Sequence, residues 1–110
     1  LLNAEAVLQL HNLAAHGRSA TTEHWQAVYD LMSEQQSTFV QALDTAGLLS
    51  HKERNICLLI RLRFIPSEIA ALTASSSQSV TNIRVRLLNK LFNKVGGAKD
   101  FDAMIRQLGS

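Results

Sequence analysis

Pro66 is the one proline among 110 residues, and it stands inside a long helix-forming stretch. Its missing amide hydrogen costs little in the first turn of a helix, so Pro66 reads as the start of a short helix. Two further start signals frame it. Upstream, Ser50 is followed three residues later by Glu53, the spacing at which each side chain satisfies the other's free backbone amide. Ile56, Leu59, Ile60 and Leu62 then recur on one face. Downstream, Ser76 closes a serine-rich segment and can cap a helix in which Val80, Ile83, Leu87 and Leu91 recur at three- and four-residue spacing. A strand would be limited to the five residues "IRVRL". The pattern predicts helices over 51–63, 66–73 and about 77–93, with Ile69, Ala70 and Leu72 facing inward.

The rest of the chain is equally helical in period. Residues 1 to 16 carry apolar side chains at positions 1, 2, 6, 7, 8, 10, 13 and 14, a broad stripe that Gly17 ends. Thr21 or Thr22 can cap the next helix, whose inner face is Trp25, Val28, Tyr29 and Met32. "SEQQST" predicts a break or kink before Phe39, Val40 and Leu43 resume the stripe, and Gly47 stops it. After residue 93, "NKVGGAKD" reads as a hinge. A short last helix follows, with Phe101, Met104, Ile105 and Leu108 on one side, placed to cover core. The expected fold is all-α. Because the chain starts at Leu1 with a helix already under way, we expect a piece of a longer protein.

Composition narrows the function. An apolar fraction of 46% suits a folded domain, and no apolar run approaches the roughly 18 residues that span a bilayer. Nothing has the layout of a signal peptide, so we expect a cytoplasmic chain without membrane contact. The lone Cys57, inside "ICLLI", is expected to be a reduced core residue. Residues 1 to 49 set Arg18 against Glu5, Glu23, Asp30, Glu34 and Asp44, a balance of −4. Residues 50 to 95 set eight basic residues against Glu53 and Glu68, a balance of +6, which points to a polyanionic partner for that part. His11, His16, His24 and His51 are scattered without metal-ligand spacing, and neither a phosphate loop nor a nucleophile-and-base motif is present. No enzyme activity, cofactor, metal or small-molecule substrate is expected.

Three such helices in succession describe a helix-turn-helix, in which the last helix enters the major groove of DNA with its N-terminal residues toward the base edges. At about 100° per residue, Gln78, Ser79, Asn82 and Arg86 share the face opposite the apolar stripe. Amides suit adenine and guanidinium suits guanine, so these four are the expected base contacts. Ser76, Thr81, Arg84, Lys90 and Lys94 are the expected phosphate contacts. Arg84 falls by angle near the core stripe, and its stem would have to lie along the core while its head reaches out.

"LSHKERNICLLIRLRFIPSEIAALTASSSQSVTNIRVRLLNKL", Leu49 to Leu91, resembles the C-terminal DNA-binding domain of the LuxR/GerE family of bacterial transcription regulators. Leu49, Ser50 and Glu53 match its opening pattern, and Ser67, Glu68, Ile69 and Ala70 match its "KEIA" block. Ser76, Ser79, Val80, Asn82, Leu87, Lys90 and Leu91 match the motif of its recognition helix. "GGAKDFDAMI" is similar to a subset joined to larger regulators, often with tetratricopeptide repeats and a membrane segment. The resemblance implies a helical extension over 1–48 that can serve dimerisation, a DNA-binding domain over 49–95 and a capping helix over 96–110. It also implies double-stranded DNA as partner and a homodimer. Departures are Arg63 in place of a helix-ending glycine, Ile65 in place of a capping serine, Thr73 and Ser75 in place of apolar residues, and Arg84 in place of a valine. The competing expectation is an interaction module that keeps the helix-turn-helix fold without binding DNA.

Overall fold

The computed structural model describes residues 5–109, which form seven α-helices and no strand. In order these are α1 (Glu5–Ala15), α2 (Thr22–Gln35), α3 (Ser37–Ala46), α4 (His51–Arg61), α5 (Pro66–Leu72), α6 (Ser77–Phe92) and α7 (Ala98–Gln107). The chain is all-α, as its periodicity predicts. Leu1 and Leu2, counted in the first apolar stripe, lie outside the described residues. The stripe of α1 is also narrower than expected: Val7 and Leu10 are buried, and Leu8 stays 58% exposed.

Local chemistry accounts for most helix starts. The Ser50 hydroxyl accepts from the Glu53 amide at 3.1 Å while Glu53 Oε1 accepts from the Ser50 amide at 2.8 Å. Of the two threonines before α2, Thr21 is the cap: its hydroxyl accepts from the His24 amide, and its own amide donates to His24 Nδ1 at 3.0 Å. The Ser76 hydroxyl accepts from the Ser79 amide at 3.0 Å and starts α6. Ile65 has no hydroxyl to offer, so α5 is held at its start by Pro66 and by Glu68 Oε1, which accepts from the Ile65 amide at 3.0 Å.

The turns around α5 close in an unusual way. Arg63, where a glycine would be ordinary, takes φ +69° and its amide bonds Ile60 O, while the Phe64 amide bonds Leu59 O, each at 3.0 Å. Ala74 takes φ +52° after α5, with the Ser75 amide bonded to Ala70 O at 2.9 Å. Both are glycine-type helix ends built with side-chain-bearing residues, at a cost of about 1 kcal/mol each. The half-buried hydroxyls of Thr73 and Ser75 are satisfied locally, by Ile69 O at 2.7 Å and Thr73 O at 3.1 Å. That is how this turn tolerates polar residues at positions the resemblance assigns to apolar ones.

α4 is the central element: every residue from Asn55 to Ile60 is buried, and α2, α6 and α7 pack around it. α5 lies between α1 and α6, and α7 covers α6 and α4. Phe101 and Ile105 of α7 are fully buried, so the last helix does complete the core. Phe39, Phe64 and Phe101 are its largest fully buried side chains. The core joins residues from all seven helices in one cluster.

Candidate nucleic-acid interface

α4, α5 and α6 set the start of α6 beside the start of α4, and an open groove of about 720 Å3 runs between them. Ser50, Lys52 and Glu53 form one wall, and Gln78, Asn82 and Arg86 the other. Gln78, Asn82 and Arg86 are exposed and Ser79 is half-buried, so the four expected base contacts share one side of α6. Gln78 Nε2 donates to Asn82 Oδ1 at 2.9 Å across one turn, which leaves the Asn82 amino group and the Gln78 carbonyl of these two exposed residues without a partner among the described residues. The Arg86 guanidinium has no hydrogen-bond or acidic partner among the described residues.

The five expected phosphate contacts do not form one set. Ser76 is committed to capping α6, Thr81 is half-buried and Lys94 is exposed beyond the helix end, where Asn93 takes φ +54°. Lys90 Nζ sits 3.2 Å from Glu53 Oε1. Burial of the Glu53 carboxyl works against its ionisation, but the Ser50 amide and the Lys90 ammonium outweigh that and hold it below the ordinary carboxylate value.

Arg84 overturns the expectation. It is 4% exposed, with Nε 3.0 Å from Asp102 Oδ1 and Nη2 bonded to Asp102 Oδ2, a bidentate pair between α6 and α7. A guanidinium neutralised inside the core cannot reach a phosphate. Its chain position near the apolar stripe was the telling signal, and the partner comes from a helix that only tertiary packing brings alongside.

Other basic residues are also used internally. Arg61 bonds Gln36 Oε1, Ile105 O and Leu108 O and lies over the Phe39 ring, and burial lowers its pKa. Arg54 stacks 4.1 Å from the Tyr29 ring centroid. Of the eight basic residues over 50–95, Lys52, Arg63, Arg86 and Lys94 are exposed with no internal partner among the described residues. The +6 balance of this stretch therefore overstates the free positive charge. Lys52, which carried no specific role in the sequence, lines the groove directly. Among the described residues no three His, Cys, Asp or Glu side chains gather as a metal site, and no helix is long and apolar enough to cross a membrane. In comparisons with known proteins, no family model matches the chain, and neither a curated protein nor a solved structure is significantly similar to it.

Proposed function

We propose that the chain is a sequence-specific DNA-binding module of the LuxR/GerE type, with α6 in the major groove. The observation that carries this reading is the outer face of α6: a Gln78–Asn82 amide pair one turn before an unpaired, exposed Arg86, beside a groove that Lys52 lines. Arg86 is the base-reading guanidinium, suited to the O6 and N7 acceptors of guanine, and the free Asn82 amino group and Gln78 carbonyl read a neighbouring pair. Lys52 and Lys94 supply phosphate contacts that fix register. Arg84 takes no part. The domain works as a cytoplasmic homodimer on two half-sites roughly 34 Å apart, one helical turn of DNA.

Selection of bound duplexes from a random-sequence pool tests the proposal. Recovery of a defined motif whose affinity falls with salt supports it, and the absence of salt-dependent affinity for any duplex ends it. Arg86→Ala should cost about 1 to 3 kcal/mol of discrimination at one position of that motif, while Lys52→Ala weakens all duplexes alike and lowers the salt slope by about one. A second reading, an interaction module without DNA affinity, draws on Leu48 and Val95, which are 93% and 96% exposed. In that case light scattering shows self-association that Leu48→Asp abolishes, and the selection returns no motif.

A further inference from the structure

α2 and the connection that precedes it lie against α4 and the turn between α5 and α6, and two clefts open along that seam. One, of about 240 Å3, lies among Ser19, Trp25, Lys52, Asn55 and Thr73. The other, of about 280 Å3, lies among Thr22, Trp25, His51, Arg54 and Asn55. Trp25 and Asn55 line both.

Asn55 is only 8% exposed, and its carboxamide has no hydrogen-bond partner among the described residues. A side chain this deeply set is seldom left without a partner, so the Asn55 carboxamide, which lines both clefts beside one tryptophan, marks a place that can receive polar atoms from outside the chain.

We propose that this seam binds an adenine nucleotide, with the ring against the Trp25 indole, the base edge on the Asn55 carboxamide and the phosphate at Lys52. A carboxamide sets N–H donors beside an acceptor oxygen, the complement of the adjoining amino group and ring nitrogen of adenine. Indole supplies an apolar platform on which a base stacks, and the exposed Lys52 ammonium at the rim meets an anion. A simple anion would leave Trp25 and Asn55 unused, and an apolar ligand would leave the carboxamide unpaired. The site stands whether or not α6 reads DNA. Because Lys52 also lines the groove beside α6, an occupied seam withdraws one cation from that face.

Trp25 is the sole tryptophan, so its fluorescence reports occupancy directly. The intact chain is titrated with AMP, with adenosine and with a single-stranded oligoadenylate. AMP should give a saturable change, adenosine a weaker one, and Lys52→Ala should bring AMP to the affinity of adenosine. Asn55→Leu should weaken AMP about tenfold or more with unchanged circular dichroism. Asn55→Asp, which keeps the size and removes the donors, replaces it should leucine fail to fold. Saturation by the oligoadenylate alone also supports the base pocket and assigns its source to an extruded base of a strand. The proposal is overturned if none of the three probes gives a saturable change, or if both Asn55 variants respond as the parent does.

Discussion

Replacing Asp102 by alanine strands the Arg84 guanidinium inside the core, a far larger perturbation than losing a surface ion pair. Removal of one partner from a buried pair costs about 3 to 5 kcal/mol, whereas replacing both by apolar residues of similar size is close to neutral. Urea unfolding should therefore rank Asp102→Ala well below the parent, with Arg84→Met combined with Asp102→Leu restoring most of the loss. A phosphate-contacting Arg84 would give the opposite order, little change in stability and a lower salt slope. At Asn55, substitution removes no hydrogen bond within the described residues, so Asn55→Asp should leave the melting midpoint close to that of the parent. Neither residue's role could be read from the chain. Asp102 lies 18 positions from Arg84, and Asn55 sits in a run whose period advertises only core. Gln78, Asn82 and Arg86 were legible because a solvent-facing position follows from helical angle alone.

Among the helices, those with local start signals fall where the sequence places them, since a cap and its partner amide lie within one turn. α4 and α6 begin one residue after Ser50 and Ser76, and α5 begins on Pro66. Their ends were less legible: α4 stops at Arg61 and α5 at Leu72, because left-handed Arg63 and Ala74 give no compositional warning. Ala74→Gly should raise stability by about 0.5 to 1 kcal/mol and the melting midpoint with it, by relieving that backbone. Gly109→Ala should do the reverse, because its φ is +70° and an added Cβ would fall 2.9 Å from backbone atoms of Phe39 and Thr38. The start of α4 also carries a pH signature. Glu53 ionises more readily folded than unfolded, so its bonds to Ser50 and Lys90 stabilise at neutral pH and are lost as pH falls through the lowered folded value. In Glu53→Gln, the difference in melting midpoint between neutral pH and about pH 3 should shrink.

At the scale of the molecule, the division into an acidic and a basic part does not mark a physical seam of stability. Leu10, Met32, Phe39 and Leu43 from the acidic part share one core with Ile56, Leu59, Phe64 and Leu87. His11 stacks on Phe64 at 4.0 Å and its Nδ1 lies 3.2 Å from Glu68 Oε2, tying α1 to α5. Residues 49–110 produced alone should melt well below the parent and bind an apolar dye, because α1, α2 and α3 cover apolar surface of that part. The radius of gyration, 12.9 Å, is that of one compact body, for which about 13 Å is ordinary. One thiol lies at the centre of it. Cys57 is fully buried on α4 and burial raises its pKa, so a soluble disulfide reagent reaches it only when the body opens. The rate of that labelling is thus an untagged clock of opening, and a ligand seated beside Trp25 should slow it in proportion to its occupancy.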